Sequence, residues 1–80
     1  MRLPRDISGQ RLADALRELG YFATRQKGVP LRLTTQHNGE HQLSIPLQES
    51  LRVGMLANIL KEVESHFELT RDELLQRISI

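Results

Sequence analysis

The sequence predicts an α+β domain with the element order α-β-β-β-α, and three features of the 80-residue chain support this. Two segments, one towards each end, carry apolar residues at the three- and four-residue spacing of a helix. Between them, apolar and polar residues alternate as they do in half-buried strands. An Asn-Gly dipeptide, which favours a tight hairpin turn, joins two of these strands. We therefore expect a three-stranded antiparallel sheet that packs one apolar face against the helices.

The composition fits one small domain that spans residues 1–80. Leu, Ile, Val and Phe supply 24 residues, which is more than a disordered chain carries. The chain has no cysteine, so disulfides and thiolate metal sites are excluded. No apolar run is long enough for a signal peptide or a membrane span, and we expect a cytoplasmic protein with no membrane partner. Residues 1–40 carry a net charge of +3 and residues 41–80 carry −2, a mild asymmetry.

The first helix is predicted to run roughly from Ser8 to Leu19. Asp6 or Ser8 can cap its start, and Gly20 is placed to end it because glycine tolerates the left-handed conformation. Its apolar face consists of Leu12, Leu16 and Leu19.

Three strands are expected next, at residues 21–26, 31–35 and 41–45. Asn38-Gly39 forms the turn between the second and third, and Pro46 ends the third because it cannot donate to a ladder. The inward side chains are Leu31, Leu33, Leu43 and Ile45. The outward side chains are Arg32, Thr34, Gln42 and Ser44, with position 30 in the same phase. Any chemistry or ligand contact should fall on this outward face.

A second helix is predicted within residues 51–67, with Ser50 as its N-cap. Its apolar stripe consists of Val53, Leu56, Leu60, Val63 and Phe67. A short third helix should follow, because Thr70 and Glu73 fit a capping box. Its apolar contacts are Leu74, Leu75 and Ile78.

The chain resembles the HicA (YcfA-like) family, small ribonuclease toxins of bacterial and archaeal toxin–antitoxin systems. The segments that carry the resemblance cover nearly the whole chain: "LPRDISGQRL", "GYFATRQKG", "LRLTTQHNGEHQLSIP", "LRVGMLANIL" and "FELTRDELL". The resemblance implies a fold like the double-stranded RNA-binding domain. It also implies cleavage of messenger RNA without a metal or cofactor, and inhibition by a HicB antitoxin.

The chain departs from this family at the position that carries catalysis. The family's activity depends on a histidine in a Gly-Ser-His segment before the second strand, and the matching segment here is Gly28-Val29-Pro30. Relatives also often carry a histidine where Gln42 stands. Proline has no side chain that can transfer a proton, and losing a general acid–base group costs roughly a hundred- to ten-thousand-fold in rate. The resemblance therefore implies a catalytically impaired member.

None of the three histidines that remain is expected to be catalytic: His37 should be a solvated loop residue, and His41 should have a structural role. His37 falls in the predicted turn, and His66 ends the second helix, where a cation interacts favourably with the helix dipole. His41 shares the phase of Leu43 and should point towards the helices. The three are not spaced as metal ligands. A working enzyme in which His41 or His37 has taken over is the least favoured alternative.

The predicted RNA-binding residues are Arg25, Lys27, Gly28, Arg32 and Thr34. Such domains recognise RNA through backbone charge and shape, and the three basic residues cluster around the glycine before the second strand. A basic edge that only meets solvent is the alternative. Tyr21 and Phe22 could stack on bases, although at least one is expected in the core.

Two functions are therefore open. The first is a HicA-type domain that binds messenger RNA and a HicB-type antitoxin but has lost most cleavage. The second is a non-catalytic protein-interaction module, such as a paralogue that binds an antitoxin. RNA affinity that falls steeply with salt distinguishes the first from the second.

Overall fold

The computed structural model describes residues 3, 6–24 and 30–80, and it has the predicted order of elements. The helices are α1 (Gly9–Leu16, continued by a 3-10 turn at Arg17–Leu19), α2 (Val53–Phe67) and α3 (Arg71–Ile78). The strands are β1 (Phe22–Ala23), β2 (Leu31–Thr35) and β3 (His41–Ile45). Within these ranges no helix combines the length and apolar character needed to cross a membrane.

The three strands form one antiparallel sheet in the order β1-β2-β3. Leu33 lies opposite Leu43, and Thr34 lies between Phe22 on β1 and Gln42 on β3. Because directly paired residues share a face, the register separates a buried inner face from an open outer face. The buried inner side chains are Leu33, Thr35, Leu43 and Ile45. The predicted alternation is confirmed.

The core lies between the inner face of the sheet and the helices. Its fully buried side chains include Leu12, Leu16, Ile45, Leu56, Leu60, Val63 and Leu74. The buried Thr35 is the polar member: its Oγ1 donates to the carbonyl of Leu19 at 2.9 Å and accepts from the amide of His37 at 3.1 Å. This satisfied hydroxyl ties the end of β2 to the end of the 3-10 turn.

Local sequence signals set three of the helix ends as predicted. The Ser8 side chain accepts from the Arg11 amide at 3.0 Å and caps α1. Gly20, at φ +85°, ends the 3-10 turn that follows α1. Thr70 and Glu73 form both hydrogen bonds of a capping box at α3.

The predicted N-cap of α2 is wrong, although the helix lies within the predicted range. Ser50 does not cap the helix; its hydroxyl lies 3.4 Å from Asp6 Oδ1, and the helix begins at Val53. Val53 was expected in the apolar stripe, yet 57% of it is exposed. The Leu51 amide donates to the Ile7 carbonyl at 2.8 Å. Leu51 rather than Val53 therefore contributes the buried apolar side chain before the helix.

The first strand is shorter than predicted over the described residues. It covers Phe22–Ala23, with Tyr21 before it and a bend at Thr24. The rest of the predicted strand, at 25–26, lies outside the described residues.

Candidate nucleic-acid interface

The outer face of the sheet carries two rows of outward side chains, set by the strand register. Phe22, Thr34 and Gln42 form one row across the three strands, and Arg32 and Ser44 form the next. Phe22 is 54% exposed, and Arg32, Gln42 and Ser44 are exposed as predicted. The face therefore offers an aromatic ring, a guanidinium, an amide and two hydroxyls, of which that of Thr34 belongs to a half-buried residue.

Arg32 is held by a short polar chain along this face. Its Nη1 donates to Gln42 Oε1 at 3.3 Å, and Gln42 Nε2 donates to Glu40 Oε2 at 3.1 Å. The other guanidinium N–H groups of Arg32 have no hydrogen-bond partner among the described residues, so they can reach an incoming anion. The nearby carboxylate of Glu40 offsets part of the positive charge of the face.

Phe22 and Arg17 extend this surface to the β1 edge of the sheet. The Arg17 guanidinium lies 5.5 Å from the centroid of the Phe22 ring, a cation–π contact. In proteins that bind single-stranded nucleic acid, exposed rings stack on bases and neighbouring basic groups contact phosphates. The structure thus resolves the expectation for the two aromatic residues: Tyr21 is fully buried and Phe22 is the exposed one.

Pro30 is exposed and directly precedes β2, where the family resemblance places a histidine. It offers neither a titratable side chain nor a backbone N–H. Arg25, Lys27, Gly28 and Val29 lie outside the described residues, so the phosphate contacts expected of this segment stay predictions.

His41 lies on the inner side of the sheet, as its phase predicted, and not beside Arg32. Its Nδ1 is 2.8 Å from the Tyr21 hydroxyl, its ring stacks on His66 with centroids 4.6 Å apart, and its Nε2 is 3.9 Å from Glu62 Oε1. Burial lowers the pKa of His41, the neighbouring His66 lowers it further, and Glu62 opposes both. Burial and then Glu62 raise the pKa of Tyr21.

His66 has a contact that its position at the end of α2 did not predict. Its Nε2 lies 2.9 Å from the carbonyl oxygen of His37 and 3.0 Å from that of Gly39, so this nitrogen carries a hydrogen and donates. In return, Asn38 Nδ2 donates to the His66 carbonyl at 2.8 Å. His66 therefore clamps the β2–β3 turn onto the end of α2.

The sequence did not reveal this cluster of Tyr21, His41 and His66. The inward phase of His41 was readable, but its partners come from the segment before β1 and from α2, and only the tertiary packing joins them. Across the described ranges, no three His, Asp or Glu side chains come together as metal ligands would.

Comparison of the chain with models of known protein families, with curated proteins and with solved structures finds no match. The function of the chain is therefore inferred from the outer face of the sheet and from the segments that carry the resemblance to the HicA family.

Proposed function

We propose that the chain is an RNA-binding domain of the HicA type, with a fold of the double-stranded RNA-binding kind and with impaired ribonuclease activity. One observation carries the proposal. The outer face of the sheet is open and holds Phe22, Arg32 and Thr34, while Pro30 occupies the start of β2, where the family's histidine is expected. The face can hold an RNA strand, but the described side chains on it include no imidazole that could transfer protons near neutral pH.

The loss of cleavage follows from the chemistry of the reaction. Attack by a 2′-hydroxyl needs one group to accept its proton and another to protonate the leaving 5′-oxygen. His41 and His66 contact each other on the helix side of the sheet. His37 follows β2 at its far end, roughly 17 Å or more from Pro30 at the usual rise of a strand. Neither the His41–His66 pair nor His37 is therefore placed to exchange protons with RNA bound beside Pro30 and Arg32.

The resemblance supplies the expected partners. These are messenger RNA, which would place the protein in the cytoplasm, and a HicB-type antitoxin that covers the RNA-binding surface. No metal or cofactor is required for binding, because guanidinium groups and an aromatic ring provide the contacts.

A second candidate is a non-catalytic module that binds an antitoxin or another protein. The polar chain from Arg32 through Gln42 to Glu40 favours it, since a carboxylate on the face weakens the attraction for RNA. In this case the outer face would be a protein-contact surface, and Pro30 a rigid shoulder at its border.

Fluorescence anisotropy with a labelled, structured messenger RNA in metal-free buffer tests the proposal. We expect micromolar binding that weakens steeply between about 50 and 200 mM salt. Arg32→Gln should weaken binding and reduce the salt slope by about one unit, because one phosphate contact is lost. Arg77→Gln, which removes an exposed guanidinium from α3, is the matched control and should bind as the parent chain does.

Two results would contradict the proposal. An absence of RNA affinity together with salt-insensitive binding to an antitoxin protein would favour the second candidate. Rapid cleavage of the RNA by the unmodified chain would contradict the impaired active site.

A further inference from the structure

A groove of about 290 Å³ lies between α1 and the β1 edge of the sheet. Ala13, Ala23, Leu31 and Leu33 contribute to its apolar walls, and its polar lining comes from Gln10, Asp14 and Arg17. Phe22 lines it as well and also belongs to the outer-face row with Thr34 and Gln42. Phe22 is therefore shared by the groove and by the surface proposed to hold RNA, at the β1 edge of the sheet.

The polar groups of the groove are oriented before any ligand arrives. Gln10 Nε2 donates to Asp14 Oδ1 at 3.0 Å, one helical turn away, and this contact orients the carboxylate. Asp14 Oδ2 has no hydrogen-bond partner among the described residues. Arg17 is held over the Phe22 ring. A flat ligand that stacks on this ring would lie in a groove whose polar lining includes the Asp14 carboxylate and the Arg17 guanidinium.

The chemistry of these groups selects among the bases of RNA. A carboxylate is an acceptor with two oxygens, and it pairs best with two adjacent, parallel donors. Guanine presents such a pair at N1–H and the 2-amino group. Adenine and cytosine place an acceptor beside their amino group, and the single N–H of uracil stands between two carbonyl oxygens, which would face the carboxylate unfavourably.

We propose that this groove is a binding site for one guanine base of a single-stranded RNA segment. The base stacks on Phe22, Asp14 accepts from its N1–H and 2-amino group, and Arg17 contacts the adjoining phosphate. This inference rests on the proposed RNA-binding function and adds a base preference to it.

Titration of ¹⁵N-labelled protein with the four nucleoside 5′-monophosphates, followed by NMR, tests the site directly. We expect GMP to shift the amide signals of Asp14, Arg17 and Phe22 and to bind about five- to tenfold more tightly than AMP, CMP or UMP, since a bidentate contact discriminates at this level or above. Asp14→Asn should abolish the preference for GMP. Glu18→Gln removes an exposed carboxylate from the 3-10 turn outside the groove, and it should preserve the preference.

A second pair of variants tests the stacking contact. Phe22→Ala should weaken GMP binding, whereas Val53→Ala, which truncates an equally exposed apolar side chain on α2, should not. Equal affinity for all four nucleotides, or shifts confined to residues outside the groove, would overturn the guanine site. The RNA anisotropy measurement separates the two proposals. RNA binding without a guanine preference would contradict only the guanine site, whereas an absence of RNA binding would contradict the proposed function.

Discussion

The two faces of β3 give neighbouring residues opposite roles. On the outer face, the Gln42 amide contacts Arg32 and Glu40, and the Ser44 hydroxyl is exposed to solvent. On the inner face, one residue before Gln42, the His41 imidazole packs between Tyr21 and His66. A shift of one position along a strand therefore decides whether a side chain is exposed to a ligand or packs against the core.

This difference separates the two parts that a metal-independent ribonuclease needs. The outer face has room and positive charge from Arg32, but its described side chains hold no imidazole. The inner side has two imidazoles, yet the nitrogens His41 Nδ1 and His66 Nε2 are already engaged by Tyr21 and by turn carbonyls. A general base must reach the proton it abstracts, so geometry excludes the inner pair for a substrate on the outer face.

Placing an imidazole on the outer side should produce the largest effect. The double substitution Val29→Ser and Pro30→His is expected to raise metal-free RNA cleavage by roughly a hundred- to ten-thousand-fold, because it supplies a general acid–base group. Cleavage of a labelled messenger RNA, followed on a gel, measures it. Val29→Ser with Pro30→Ala is the control, since it removes the proline without adding a proton carrier. A similar gain in both variants, or a gain in neither, would contradict the view that the missing imidazole is the defect.

Truncating neighbouring residues on the two faces should affect stability very differently. His41→Ala removes the partner of the fully buried Tyr21 hydroxyl and its ring contacts, and we expect a loss of about 1–3 kcal/mol in the free energy of unfolding. Gln42→Ala changes an exposed side chain and should stay within about 0.5 kcal/mol. Urea denaturation of both variants measures the contrast. Equal losses would mean that His41 is not a structural member of the core.

The parts of the fold that the sequence predicted depend on signals a few residues apart. Gly20 and Gly39, at φ +85° and +94°, adopt the conformation that a turn requires, and Asn38 at φ +58° completes the hairpin. The capping box of Thr70 and Glu73 is contained in four residues. Alternation of apolar and polar residues along β2 and β3 likewise distinguishes the outer face from the inner face.

The parts that the sequence did not predict depend on contacts between distant segments. The start of α2 follows from Leu51 bonding to Ile7, more than forty residues earlier. The clamp formed by His66 needs the β2–β3 turn to lie against the end of α2. The groove is lined jointly by α1, the 3-10 turn and the strands β1 and β2, which are separate segments of the chain. No local pattern encodes such juxtapositions, so single-sequence reasoning could not find them.

Acidification should reveal the inner imidazole of His41 through a smaller effect on stability. Because the folded state lowers the pKa of His41, the unfolded chain binds a proton more readily, and stability should decrease as the pH falls below the ordinary histidine value of about 6.5. Urea midpoints at about pH 7.5 and 5.5 measure this. His41→Gln should flatten the dependence, whereas His37→Gln, at an exposed imidazole, should leave most of it. Glu62→Gln should steepen it, since Glu62 favours the protonated ring. A parent chain that gains stability on acidification would show that His41 is not held neutral between Tyr21 and His66.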